Sequence, residues 1–221
     1  MEIDISPILE SWRFLLDGLL VTLALSALII GASFLLGFAV GLGRCYGPAW
    51  LRVPLTFYVD SMRAIPVLVV LVWTYFALPL VTGLTLPPFW AALVALTVHV
   101  AAYVAEIVRA GVTSVRPGQT RAALALGMSR VQLVREIVLP QAVVRMLPAF
   151  GSVLSVAIKD TAIATVIAVP DYMNRSQTLA GESFRPIEVF ALAAIVYFCM
   201  LFPVTRAVDA VYRRVAFLGR S

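Results

Sequence analysis

The most regular feature of the sequence is a series of long apolar segments separated by short polar ones. Residues 18–43 carry no charge, and a helix needs about 20 apolar residues to cross the hydrocarbon core of a bilayer. Residues 64–105 are also uncharged and suffice for two crossings, with the prolines and glycine of 79–90 forming the turn between them. Two further apolar segments follow. The pattern predicts an all-α integral membrane protein, one transmembrane domain over 1–221, with five transmembrane helices at about 18–43, 55–79, 88–113, 146–170 and 186–210.

The composition supports a membrane location. Hydrophobic residues make up 62% of the chain and charged residues only 13%, whereas soluble domains carry roughly 25% charged residues. The net charge of +5 is a feature of many nucleic-acid-binding proteins. Here the basic residues lie between apolar segments instead of forming one soluble face, so we expect no nucleic-acid partner and interpret them as topology signals.

The basic residues predict the orientation of the chain in the membrane, because Lys and Arg are enriched in short cytoplasmic loops. We place the N-terminus outside and the C-terminus in the cytoplasm. Three of the 17 basic residues then lie outside, and Lys159 lies within a span. The remaining thirteen lie inside: Arg44, Arg52, Arg63, Arg109, Arg116, Arg121, Arg130, Arg135, Arg145, Arg206, Arg213, Arg214 and Arg220.

Candidate metal ligands and nucleophile partners are scarce. Cys45 and Cys199 lack the spacing of a metal site, and we expect them to be packing residues. With His99 as the only histidine, we expect no metal site and no Ser-His-Asp triad. His99 falls in the middle of a span, where it either makes a polar contact between helices or contacts a substrate.

The polar stretch between the third and fourth spans, about 119–138, is patterned like two short helices. An alanine- and leucine-rich run ends at Gly127, a residue that tolerates the left-handed conformation at a helix C-terminus. Ser129 and Gln132 then fit a capping box that begins a second helix. Pro140 and Pro148 are expected to break or redirect the chain before the fourth span. The stretch is either a protein-docking element or an amphipathic helix on the lipid headgroups.

Several runs in register resemble a known family. The runs 106–111 (EIVRAG), 121–127 and 137–140 (IVLP) are similar to the EAA signature of binding-protein-dependent ABC importer permeases. The closest likeness is to the polar amino acid uptake branch, of the histidine, glutamine and arginine permease type. Further runs that resemble this branch are 63–66 (RAIP), 102–106 (AYVAE) and 159–161 (KDT).

The resemblance implies a type I ABC importer transmembrane fold in a bacterial inner membrane. It implies a second permease chain, identical or paralogous, two ATP-binding subunits and an extracytoplasmic amino-acid-binding protein. This chain lacks a P-loop motif, so ATP and Mg²⁺ are expected in the partner ATPase, with no cofactor and no enzymatic activity in this chain. In the family, 119–138 acts as the coupling helix, and the ATPase-coupling residues would be Arg121, Ala122, Ala123, Leu126, Gly127, Met128 and Ser129.

Arg121 departs from the family pattern, because a glutamate usually opens the signature at that position. The alanines and Gly127 are retained. We therefore expect the bend and the docking surface to be kept, while the role of Arg121 is open.

Charged residues within a span are costly and usually face a cavity or a partner. Lys159 and Asp160 are therefore substrate-pathway candidates, with Thr161 and Ser155 beside them. Asp160 would bind a substrate amino group and Lys159 a carboxylate. Consecutive helical residues point about 100° apart, so the two cannot simply face each other. The alternatives are a structural ion pair or a contact at the inner membrane edge for the charges, and a bond to its own helix backbone for Ser155.

Arg63 and Glu106 lie at the cytoplasmic ends of the second and third spans. They are candidates for a gate or an intersubunit ion pair, and simple anchoring at the interface is the alternative. A different functional class, an ATPase-independent channel or secondary carrier for small polar solutes, leaves the bent segment at 119–138 unexplained.

Overall fold

The computed structural model describes residues 4–215, so Arg220, one of the thirteen basic residues placed inside, lies outside the described residues. Within 4–215 the chain is helical, with no strand. The helices are α1 Ser6–Glu10, α2 Trp12–Tyr46, α3 Ala49–Ala64, α4 Val67–Thr82, α5 Pro88–Thr113, α6 Pro117–Ala125, α7 Arg130–Ile167, α8 Tyr172–Ser183 and α9 Pro186–Val215.

Four of these helices, α2, α5, α7 and α9, are long and apolar enough to cross a membrane, and the pair α3 and α4 makes a fifth candidate. That pair is bent by 109°, where the sequence predicted one span at 55–79. Pro66 explains the bend, because a residue before proline is pushed out of the helical region. Ile65 accordingly has φ −87° and ψ 131°.

Helix α7 is longer than the sequence predicted. The second short helix after Gly127 and the fourth span are one helix, Arg130–Ile167, so Pro140 and Pro148 do not separate them. Proline removes a backbone donor and crowds the preceding turn. A π-helical turn at Leu133–Val138 ends two residues before Pro140 and takes up that disruption. The last part, Thr161–Ile167, is a 3₁₀ helix.

Helix α5 lies at the centre of the bundle and packs closely against α2. A Cβ added at Gly37 would lie 2.5 Å from the Cβ of Val104, and one at Gly41 would lie 2.7 Å from the Cβ of Val108. Two glycines four residues apart lie on one helix face and let two backbones approach. The close contact of α2 and α5 therefore depends on the absence of side chains at 37 and 41.

Replacement of Gly37 by alanine tests this contact. We expect Gly37→Ala to lower the free energy of unfolding in detergent by about 1–3 kcal/mol, the usual cost of overpacking. Gly31→Ala is the matched control in the same helix, because a Cβ there meets nothing within 4 Å, and it should be neutral or slightly stabilising. Equal stability of the two variants would contradict the packing account.

Helix α8 is an element that the sequence analysis missed, and it is attached through a buried polar junction. Asp171 is fully buried and accepts a 2.8 Å hydrogen bond from the backbone N–H of Asn174, which caps α8. The N–H of Tyr172 donates to the hydroxyl of Thr22 in α2 at 2.9 Å. Burial raises the pKa of Asp171 from 3.8 to about 6, despite hydrogen bonds that act in the opposite direction.

The raised pKa predicts a pH dependence of stability. Folded protein binds the Asp171 proton more tightly than unfolded protein does, so this group contributes stability as pH falls through 6 towards 4. Asp171→Asn keeps a capping side chain without the titration. Relative to this variant, the gain in the free energy of unfolding as pH falls should reach at most about 3 kcal/mol. Thermal unfolding of both proteins between pH 7.5 and 4.5 measures it. A constant difference across that range would show that Asp171 titrates normally.

Candidate functional site

A polar-lined cavity near the middle of the bundle has a volume of about 600 Å³. It lies between the bend joining α3 to α4, the middle of α5 and the second half of α7. Its volume is within the range of small-molecule sites. Such sites also have a mostly apolar lining with a few polar groups, as this cavity does. The polar residues among those that line it are Arg63, His99, Tyr103, Ser152 and Asp160.

One wall of this cavity is formed by side chains one helical turn apart on α5. The rings of His99 and Tyr103 have centroids 5.3 Å apart. The guanidinium carbon of Arg63 lies 5.9 Å from the centroid of the Tyr103 ring, within cation–π range. Asp160 and Ser152 belong to the α7 side. The cavity is therefore lined by one cationic side chain, one anionic side chain and several neutral polar groups.

The structure places Lys159 and Asp160 in different cavities. Asp160 lines the 600 Å³ cavity, while Lys159 and Ser155 line a second cavity of about 370 Å³ between α7 and α9, together with Thr205 and Asp209. The expected angular separation of consecutive residues is the reason. The expectation that Asp160 and Lys159 bind the two ends of one substrate therefore does not fit this arrangement, and Arg63 is the basic residue that shares a cavity with Asp160.

Two other candidate residues make local bonds. Thr161 is fully buried, and its hydroxyl donates to the carbonyl of Ile158 at 2.7 Å, so it lines neither cavity. The hydroxyl of Ser155 donates to the carbonyl of Gly151 at 3.1 Å. This is the backbone bond considered as an alternative for Ser155, although its side chain still borders the second cavity.

Glu106 is the centre of an ion-pair cluster formed within one chain. Its carboxylate accepts hydrogen bonds from Arg44 at 2.8 Å and from Arg109 at 2.6 Å. Arg63, the partner expected from the sequence, lies farther away at 3.8 Å. The cluster holds α2, α3 and α5 together at one level, and it leaves the Arg63 side chain 40% exposed.

Arg44 is the member of this cluster that sequence reasoning missed. Its side chain is only 6% exposed, and its Nε donates to the hydroxyl of Thr56 at 3.3 Å. Its carboxylate partner is 62 residues away in sequence. The sequence contains a pattern that indicates this contact. Gly37, Gly41 and Arg44 share one face of α2 at the spacing of successive helical turns.

The segment between α6 and α7 has the bend that the sequence predicted. Gly127 has φ +80°, and the Ser129–Gln132 capping box is formed in both directions. Ala123 is buried against the rest of the chain and Met128 is half-buried. Leu126 is 84% exposed. The other exposed residues of the predicted coupling set are Arg121, Ala122, Gly127 and Ser129.

The role of Arg121 stays open in the isolated chain. Its Nε donates to the carbonyl of Pro117 at 3.5 Å, one turn earlier in α6. The connection between α5 and α6 is tied to α7 by Arg145, which donates to the backbone carbonyl of Ser114. Ala123 packs into the core of the bundle, while the outer face of the bend, centred on Leu126, is exposed.

A five-span bundle with a polar-lined cavity and an exposed helical bend at one end has the features of the transmembrane subunit of a transport system. The chain belongs to the family of binding-protein-dependent transport system inner membrane components, which it matches over residues 30–217. This assignment agrees with the resemblance found in the sequence.

Relatives and solved structures agree with this family. The chain is 38% identical over 205 residues to the octopine transport system permease protein OccM of Rhizobium meliloti, covering 89% of this chain and 84% of the relative. It is 35% identical to the glutamine transport system permease protein GlnP of Escherichia coli K12, covering 89% and 90%. A chain of a crystal structure titled as an amino acid ABC transporter with histidines matches with a TM-score of 0.89 and 30% identity, covering 97% of this chain and all of that one.

Replacement of Glu106 tests the cluster. Loss of one partner of a buried ion pair costs about 3–5 kcal/mol. Because the Glu106 side chain is 21% exposed, we expect Glu106→Gln to lower the free energy of unfolding by a smaller amount, about 2 kcal/mol. Asp60→Asn is the control, since that carboxylate is 63% exposed and 4.0 Å from Arg44, and it should change stability by less than about 0.5 kcal/mol. Similar effects of the two variants would refute the central position of Glu106.

Proposed function

We propose that this chain forms half of the translocation path of an ATP-driven importer of polar amino acids. Its partners are a second permease chain, two ATP-binding subunits and an extracytoplasmic amino-acid-binding protein. The relatives named for octopine and glutamine transport support the substrate class. The N-terminus lies outside, and the Gly127 bend and the C-terminus lie in the cytoplasm, as the distribution of basic residues favours.

The observation that carries the proposal is the exposed bend at Gly127 at the end of a helix that reaches the cavity. Helix α7 starts directly after the bend and contains Asp160 near its other end. At about 1.5 Å per residue, the 30 residues between Arg130 and Asp160 span roughly 45 Å. A displacement of the bend by a docked ATPase would therefore reach the α7 wall of the cavity through one continuous helix.

The proposed mechanism is rigid-body gating driven by ATP in the partner subunits. ATP closes the two ATP-binding subunits together, the docked bends move with them, and the cavity alternates between the two sides. The shift requires that ATP binds one state more tightly than the other. We propose that the exposed face of Leu126, with Arg121, Ala122, Gly127 and Ser129, forms the contact with the ATPase.

Substrate contacts are proposed for the cavity side chains. Asp160 would bind the ammonium group of an amino acid, and Arg63 its carboxylate, since a guanidinium matches carboxylate geometry. Lys159 and Ser155 would line a later part of the path at the second cavity, and Thr161 would act by holding the turn in which α7 becomes a 3₁₀ helix.

Gly127→Val in the complex reconstituted in liposomes with its ATPase and binding protein tests the coupling proposal. A β-branched residue at φ +80° is strained, so the bend should change shape. We expect binding-protein-stimulated ATP hydrolysis and uptake to fall at least tenfold, while basal hydrolysis is retained. Gly83→Val is the matched control, because Gly83 has φ +74° and open space at the opposite end. Normal uptake by Gly127→Val, or an equal loss in both variants, would overturn the coupling role.

A further inference from the structure

A separate cavity of about 620 Å³ lies between the end of α2 and the start of α7, outside the candidate substrate site. Its volume is within the range of small-molecule sites. Basic and aliphatic side chains line it together with one tyrosine and one cysteine: Cys45, Tyr46, Arg130, Val131, Val134, Arg135 and Leu139. The cavity therefore offers a ligand both guanidinium groups and an apolar surface.

The charged side chains of this cavity are all basic. Arg130 and Arg135 are exposed, and neither forms an ion pair with another residue of 4–215. No described residue that lines the cavity is acidic. A guanidinium group presents a fork of N–H donors that matches the oxygens of a phosphate. The charge of the cavity is thus complementary to a phosphate-bearing anion.

The π-helical turn of α7 affects how the two arginines are placed. In a regular α-helix, residues five apart point about 140° away from each other. The π turn starts at Leu133, between Arg130 and Arg135, and its wider winding decreases that angle. Both arginines consequently line the same cavity. The turn that takes up the disruption before Pro140 therefore also brings two cations to one site.

The cavity lies at the level where the bundle would meet the lipid headgroups. Helix α2 ends at Tyr46 and α7 begins at Arg130, and both helices are long and apolar enough to cross a membrane. Trp50, which follows α2 closely, is 76% exposed. Exposed tryptophan and tyrosine side chains are typical of the boundary between hydrocarbon and water. Basic pockets between membrane helices at this level are suited to anionic lipid headgroups.

The lining favours a lipid over a small soluble anion. Val131 is 75% exposed, and Leu139 extends the apolar lining along α7. A free phosphate would pair with the arginines and leave this aliphatic surface uncovered. A phospholipid carries a phosphate and hydrocarbon in one molecule, so it can cover both parts of the lining.

We infer that this cavity is a binding site for the headgroup of an anionic phospholipid, with Arg130 and Arg135 on the phosphate and Tyr46, Val134 and Leu139 against the glycerol and the first acyl carbons. In the proposed orientation the lipid belongs to the cytoplasmic leaflet. This inference goes beyond the transport function and does not use the identity of the substrate. The exposed residues of the bend that we assign to the ATPase contact do not line this cavity.

The experiment measures binding of phosphatidylglycerol to the purified permease–ATPase complex in a neutral detergent. Native mass spectrometry over a series of lipid concentrations gives the dissociation constant of the tightest-bound lipid. Each basic residue near a phosphate contributes about fivefold to lipid affinity. We therefore expect the double variant Arg130→Gln with Arg135→Gln to bind phosphatidylglycerol about 25-fold more weakly than wild type. Arg130→Lys with Arg135→Lys keeps both charges and should bind it more tightly than the glutamine pair.

The matched control is the double variant Arg52→Gln with Arg116→Gln. It removes the same charge from two exposed arginines that do not line the cavity. We expect this control to bind phosphatidylglycerol as wild type does. All variants should unfold at the wild-type temperature without added lipid, because exposed side chains outside ion pairs contribute little to stability.

Each other outcome would overturn the inference. Equal weakening in the two glutamine pairs would mean a general attraction of lipid to a basic surface. Equal affinity of wild type for phosphatidylcholine, or displacement of phosphatidylglycerol by excess inorganic phosphate, would mean that the site does not recognise an anionic lipid. Loss of the ATPase subunits from Arg130→Gln with Arg135→Gln, with lipid binding unchanged in the permease, would assign the arginines to the ATPase contact instead.

Discussion

The ion-pair cluster around Glu106 is the interaction on which the shape of the cavity depends. Charged groups inside a membrane protein need partners, because hydrocarbon cannot solvate them. Arg44 reaches Glu106 at 2.8 Å because Gly37 and Gly41 let α2 approach α5. With Arg44 and Arg109 as its close partners, Glu106 holds Arg63 only at 3.8 Å. Arg63 therefore remains at the edge of the cavity, against the ring of Tyr103, with its guanidinium available to another anion.

The cavity is connected to the exposed bend by two helices that enclose it. Helix α5 ends at Thr113, shortly before α6, and α7 begins at Arg130, shortly after Gly127. Both walls of the cavity are thus continuous with the segment on which an ATPase would act, and Arg145 of α7 bonds to Ser114 at the end of α5. The α3–α4 bend supplies the third wall. In the proposed mechanism, this arrangement would let a chain without a nucleotide-binding motif respond to ATP bound by a partner subunit.

The structural features that could be predicted are those set by residues close together in the sequence. The uncharged runs indicated the membrane segments, and Gly127 and Ser129 indicated the bend, because each of these signals acts within a few residues. Three features depend on distant or compensating contacts. Arg44 pairs across 62 residues, the π turn at Leu133–Val138 lets α7 continue into Pro140, and the side chain that shares the cavity with Asp160 is Arg63 instead of the adjacent Lys159. The break in the second span could have been predicted from Pro66, because the residue before a proline disfavours the helical conformation.

The most direct test of the account is photo-cross-linking from the exposed bend in membranes that contain the complete transport system. A benzophenone amino acid at position 126, where Leu126 is 84% exposed, should form an adduct with a P-loop ATPase subunit. The same probe at position 80, where Leu80 is 87% exposed at the opposite end, should form none. Adducts with lipid alone at position 126, in membranes where the ATPase is present and active, would contradict the claim that this bend is the site of coupling.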